Sequence, residues 1–202
     1  MDRDPPNPIA NLPSFRESQT VFMRGYKENV NLVTSDDSPW QWRRICFTLK
    51  GEILTSAATI DDGIAIQIAP QGYTRPFINM QNALRTRISA QIFKGTEGRD
   101  WNDPFLAKPD TQRITLKSDV THTLHPNSEG GFIKSFHLWH PMNRNLVYAE
   151  DESGTDIQNF GYSVTGKAGM GDYYILDMFR SNISDASSMQ IQMAGTLYWH
   201  EK

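Results

Sequence analysis

At 202 residues the chain suits a single domain, and its 38% apolar and 11% aromatic content supplies material for a full core. With 20 basic against 23 acidic residues the net charge is −3, which excludes a uniformly basic nucleic-acid coat but leaves room for a basic stripe on one face. The single cysteine, Cys46, excludes an intramolecular disulfide, and no run reaches the roughly 18 apolar residues of a membrane helix.

Residues 1–17 read as an extended arm, because proline removes a donor and pushes its predecessor toward extended geometry, and Pro5, Pro6, Pro8 and Pro13 crowd this stretch. The first residues, MDRDPPNPIANLP, have neither a basic nor an apolar leader segment, so the expectation is a soluble protein made inside a cell. From residue 18 to 202 the chain reads as one β domain. Strands are predicted over 20–34, 42–49, 86–94, 112–121, 131–140, 145–150, 171–179 and 188–200. The last is the clearest: Met189, Ile191, Met193, Leu197 and Trp199 fall on one face, and Gln190, Gln192, Thr196 and His200 on the other. Ile45, Phe47 and Leu49 alternate in the same way, as do Ile114, Leu116 and Val120. The 171–179 strand is apolar on both faces, so something beyond the core must cover it. Tight turns are expected at 36–39 and 141–144, and a short helix near 77–84 within the long 50–85 connection. The 151–170 connection reads as a Gly-, Ser- and Thr-rich loop. Eight such strands suit two packed four-stranded antiparallel sheets, an all-β sandwich of the jelly-roll kind.

Several clusters invite chemistry. HTLH at 122–125 and HLWH at 137–140 suggest zinc, but strand residues three apart point to opposite faces, so His137 and His140 cannot chelate as a pair. Cys46, between Ile45 and Phe47, reads as a buried thiol. Glu150, Asp151, Glu152 and Asp156 lack the ligand spacing of an EF-hand and read as an acidic loop, solvated or meeting a neighbour's cations, with an inter-subunit calcium as a further option. GKAGMGD at 166–172 lacks the Gly-Lys-Ser/Thr ending of a phosphate loop. WQWRR at 40–44 is the strongest nucleic-acid cue, since aromatic faces stack on bases and guanidinium groups hold phosphates. Its competing reading is a packed tryptophan strand whose arginines pair with carboxylates. Neither a metal nor a cofactor is called for.

Four segments stand in a fixed order, SPWQWRRICF at 38–47, LVYAEDESG at 146–154, GMGDYYILDMF at 169–179 and TLYWHEK at 196–202, with MRGYKE at 23–28 before them and HPMNRN at 140–145 between the first two. Together they resemble the capsid proteins of genomoviruses, the small circular single-stranded DNA viruses that include the gemycircularviruses. That resemblance implies a jelly-roll shell domain and sixty copies in a T = 1 icosahedron around circular single-stranded DNA. It implies a structural protein rather than an enzyme, found in the virion, assembled in the host nucleus, and without a membrane. Family members carry a strongly basic N-terminal arm that these 202 residues do not contain. By the same resemblance the segment before the first strand faces the genome, so Arg16, Arg24 and Lys27 near its entry join Trp42, Arg43 and Arg44 of the WQWRR cluster as candidate DNA contacts. Connections at 35–41, 95–111, 141–144 and 180–187 would gather at the five-fold axis. Trp101, Phe105, Asp151, Glu152, Tyr162 and Met170 are the candidate subunit contacts. The alternative is a non-viral carbohydrate-binding sandwich, with Tyr73, Trp101 and Phe105 as its sugar-stacking loop aromatics.

Overall fold

A computed structural model of the chain describes residues 18–51, 67–69, 72–74, 80, 82–126, 130–154, 156–181 and 187–201. The expected arm at 1–17, with Arg16, lies outside the described residues. The elements in chain order are β1 (Thr20–Thr34), β2 (Trp40–Leu49), β3 (Gln67–Ala69), β4 (Gly72–Thr74), α1 (Asn82–Ile92), β5 (Thr115–Leu124), β6 (Ile133–Ser153), β7 (Asp156–Ser163), β8 (Asp172–Ser181) and β9 (Met189–His200). The described residues are therefore all-β, 60% strand with one short helix. One antiparallel sheet has the order β7-β6-β1-β9 and a second the order β5-β2-β8, with β3 and β4 forming a separate hairpin. Among the described residues the two main sheets thus hold seven strands, where eight were expected.

The sheets face each other over a shared core. Val30 and Leu32 of β1 and Trp42 of β2 pack with Leu124 of β5, and Phe136, Phe179 and Ile191 close around them. The other face of β2 carries Ile45, Phe47 and Leu49, which pack with Ile92, Phe93, Ala107, Ile114 and Leu176. A third layer, made of α1 and the segment after it, therefore covers the second sheet from outside. That explains why β2 is buried along both faces from Trp42 to Leu49. It also supplies the second cover predicted for the doubly apolar β8, from within the same chain.

The strand predicted over 86–94 is instead α1. Leu84, Ile88 and Ile92 recur at intervals of four, the spacing of one helical stripe, and Leu84 and Ile92 are buried. The strands predicted at 131–140 and 145–150 are one strand, β6, and 141–144 is not a turn. Between Met23 and Gly25 the register of β1 slips against both β6 and β9. The irregularity is anchored by Asn143, at φ 49°, whose Oδ1 accepts a 2.7 Å hydrogen bond from Arg24 Nη1. A bulge of this kind exchanges the faces of a strand: Val21 and Met23 point inward before it, Glu28, Val30 and Leu32 after it. β6 tolerates Pro141 because β7 pairs with it only from Tyr148 onward, so at Pro141 the strand has β1 alone beside it. A second bulge, between Cys46 and Phe47, places Leu116 opposite Phe47 and Val120 opposite Arg44. Leu116 and Val120 thus lie on opposite faces of β5, and Val120 is 45% exposed. Finally, β7 occupies part of the stretch expected to be loop.

Candidate functional site

The WQWRR segment lies inside the protein. Trp42 is fully buried, stacked on Phe179 at 5.8 Å and edge-on to Phe136 at 4.9 Å, and its Nε1 donates to Asp177 at 2.6 Å. Arg44 spans the gap between the sheets, donating to Glu28 of β1 at 2.6 Å and to Asp177 of β8 at 2.7 Å. Burial works against its charge, but Asp177 and Glu28 outweigh that and hold its pKa above the ordinary arginine value. Arg43 points the other way, pairing with Asp119 at 2.6 Å and donating to the Pro104 and Ala107 carbonyls. It ties the 103–107 segment to β5. With their donors engaged and their surfaces sealed, Trp42, Arg43 and Arg44 offer nothing to a phosphate or a base, and their candidacy as DNA contacts is corrected on that ground. The competing reading, packed tryptophan and paired arginines, is the one the geometry bears out.

His140 completes the buried cluster. Its Nε2 lies 3.1 Å from Glu28, and its Nδ1 3.3 Å from the Tyr173 hydroxyl and 3.7 Å from Cys46 Sγ. Burial lowers its pKa, but the Cys46 and Glu28 contacts outweigh burial and push it up to about 9. Glu28 is shifted down: burial opposes its charge, and His140 and Arg44 overcome that. His137 is on the opposite face, bonded to Asn29 at 2.7 Å, as its spacing from His140 predicts. No group of three or more metal-ligating side chains occurs among the described residues.

Arg24 and Lys27 are exposed on the outer face of the first sheet. Sequence reasoning paired them with Arg16 and the WQWRR residues; the fold places them instead beside Trp139 and Tyr198. These two rings are 5.8 Å apart at 59° and 50% and 44% exposed. Trp139 sits in register with Lys27, and Tyr198 with Gly25. Gly25 makes this arrangement possible, since a Cβ there would meet the Trp139 ring at 2.5 Å. A second stacked pair, Phe22 and His200, lies farther along at 6.4 Å. Along β1, along β9 and from Ile133 to Asn145 of β6, the only carboxylate is Glu28, and it points inward. In a chain with more acidic than basic residues, this is the basic stripe that composition left room for. Its sequence signal is Trp139 and Tyr198 at wet-face positions of alternating strands.

The candidate subunit contacts divide. Trp101 packs on the core behind the second sheet, partly buried, with its ring 5.2 Å from Phe93, so much of its surface is engaged within the monomer. Phe105 is half-buried beneath the Arg180 guanidinium, 4.2 Å above its ring, and Arg180 in turn pairs with Asp103 at 2.6 Å. The exposed apolar residue of this loop is Leu106, at 78%. Met170 packs on Val21, Met23 and Leu146 and is likewise a monomer contact. Tyr162 is half-buried in β7. Asp151 and Glu152 pair with Gln158 and Ile157 in the β6–β7 ladder, so this stretch is strand rather than acidic loop. In the glycine-rich segment Lys50 donates to the Gly166 and Ala168 carbonyls, fastening the segment to the end of β2.

Compared with known proteins, the sequence matches no established family and no curated protein.

Proposed function

We propose that this chain is a capsid shell subunit that self-associates into a sixty-copy T = 1 icosahedron around circular single-stranded DNA. The observation that carries the reading is the nested pairing of β1 with β9 and of β2 with β8 in two facing sheets. A jelly roll is a ribbon folded over so that the first strand meets the last and the second meets the next to last. In this reading α1 stands where a further strand was expected, on the outside of the second sheet. Closed shells require contacts that return on themselves around symmetry axes. Leu106 and Ile133, 78% and 73% exposed, are apolar surface suited to burial between copies. The subunit works by packing and surface complementarity, without catalysis or a cofactor, in a virion assembled in the host nucleus and lacking a membrane.

Sizing chromatography and negative-stain microscopy of the purified 202-residue chain test this. Megadalton particles of uniform diameter are expected; a stable 23.0 kDa monomer under all assembly conditions overturns the reading. The alternative, a carbohydrate-binding module, loses Trp101 from its proposed loop platform, because that ring packs in the monomer. What favours it is the exposed Trp139–Tyr198 pair, on a sheet face that also carries Asn29 and Gln192 farther along.

A further inference from the structure

We infer that the outer face of the β6-β1-β9 sheet is a binding platform for single-stranded nucleic acid, with Trp139 and Tyr198 stacking unpaired bases and Lys27 and Arg24 holding the flanking phosphates. The inference deepens the shell reading and rests on it only for the biological ligand, the enclosed strand. The recognition chemistry comes from the face itself.

Three observations converge. First, two aromatic rings in mutual contact remain about half exposed in the folded chain, although a tryptophan of this size ordinarily finds cover. Gly25 leaves room for the indole directly above β1, so the ring is positioned by the sheet rather than by a mobile loop. Second, cations adjoin the rings, one in register and one at the neighbouring bulge. Lys27 is directly opposite Trp139, and Arg24 is held by Asn143 with one guanidinium nitrogen, its other donors having no partner among the described residues. Third, along β1, along β9 and from Ile133 to Asn145 of β6 this face has no outward carboxylate, while the chain as a whole is acidic. A polyanion meets no repulsion here, and this charge complementarity distinguishes a nucleic acid from a neutral glycan. Stacking platforms combined with a cationic track are how proteins hold single strands without reading sequence, because every base presents a ring face. A duplex hides those ring faces and fits the arrangement poorly.

The test measures binding of fluorescently labelled oligothymidylate to the full chain as unassembled subunits, by anisotropy and by quenching of tryptophan emission. Parallel samples score particle formation. Trp139→Ala and Tyr198→Ala should each weaken binding about tenfold, whereas Trp139→Phe, which keeps a ring, should weaken it far less. Lys27→Gln should lower the slope of log affinity against log salt by about one. Lys117→Gln, an exposed cation on β5, should leave the ring-dependent quenching intact. Thermal melts of each variant identify any that fail to fold, and Lys27→Gln then carries the test alone. The platform is overturned if Trp139→Ala and Lys117→Gln act alike, if duplex DNA binds as tightly as the single strand, or if a neutral oligosaccharide binds this face without salt dependence. Oligonucleotide binding by a chain that never forms particles would sink the shell reading and leave the platform standing. Particles whose strand binding ignores Trp139 would do the reverse.

Discussion

Glu28 of β1 and Arg44 of β2 meet across the sandwich at 2.6 Å, with side chains 1% and 6% exposed. Because Arg44 also holds Asp177 of β8, one guanidinium links both sheets. Two carboxylates are balanced by one guanidinium and one imidazolium, so the cluster is neutral only while His140 carries its proton. A single cut should therefore cost far more than a whole exchange. Arg44→Met is expected to lower the urea-unfolding free energy by about 3–5 kcal/mol, because it strands two buried carboxylates. Adding Glu28→Gln and Asp177→Asn to the same chain should recover a large part of that loss.

The same cluster sets a pH dependence whose sign follows from the shifts. His140 has its folded value pushed up to about 9, above the ordinary 6.5 or so. The stability it contributes is fully present below the unfolded value and is lost as pH rises through about 9. Glu28, shifted down, contributes stability that is present above the unfolded carboxylate range and lost as pH falls through its folded value. Thermal melts across pH should show a plateau in between, with a decline on the alkaline side. His140→Asn should flatten that alkaline decline; an unchanged decline would show that another group causes it.

Gly25 and Trp139 give a third expectation. A methyl at Gly25 would collide with the indole and with the His140 carbonyl, at 2.5 and 2.6 Å. Gly25→Ala should lift Trp139 off the sheet, changing the intensity and position of its fluorescence, and should cost about 1–3 kcal/mol of stability. A spectrum and a melt like those of the parent chain would contradict the close approach.

Trp101 and Leu106 separate fold from assembly. With Trp101 packed on Phe93, Trp101→Ser should weaken the monomer itself, by about 2–4 kcal/mol for an incompletely buried ring. Leu106→Ser, at an exposed tip, should leave the melt unchanged and lower the yield of particles. Urea titration of subunits and particle counts by light scattering distinguish the two.

The strands legible in the sequence are those with one strong period. β1, β2, β8 and β9 lie within a few residues of their predicted bounds because Ile45/Phe47 and Ile191/Met193 alternate without ambiguity. α1 was hidden because Ile88, Ala90 and Ile92 satisfy a period of two as readily as Leu84, Ile88 and Ile92 satisfy a helix. β6 was divided by Pro141, a residue that breaks a central strand but not one flanked on a single side. The face of Arg44 was legible too, but not whether that face was wet. Burial depends on Glu28, 16 residues earlier, and Asp177, 133 later, and no local pattern announces such partners. Trp139 and Tyr198 went unnoticed for the converse reason: they lie far apart in sequence, on either side of β1, and only the sheet brings them together.

The last expectation concerns charge. In the proposed shell, a net −3 in every copy would add to the repulsion of an enclosed polyanion, because affinity for nucleic acid is dominated by phosphate neutralisation and is steeply salt-dependent. Arg24 and Lys27 can hold a few phosphates per subunit, and Arg43 and Arg44, now spent on Asp119, Glu28 and Asp177, can hold none. The exposed cations are thus fewer than the sequence promised. Particles of these 202 residues should protect little DNA from nuclease, and fusing an Arg/Lys-rich arm before residue 1 should raise the protected amount severalfold, read as the 260/280 absorbance ratio after digestion. Trp139→Ala should reduce the ordering of strand against the shell without abolishing packaging by the arm, since stacking fixes bases locally while the arm supplies bulk neutralisation. Equal protected DNA with and without the arm would mean that the sheet face alone suffices and that this balance of charge is wrong.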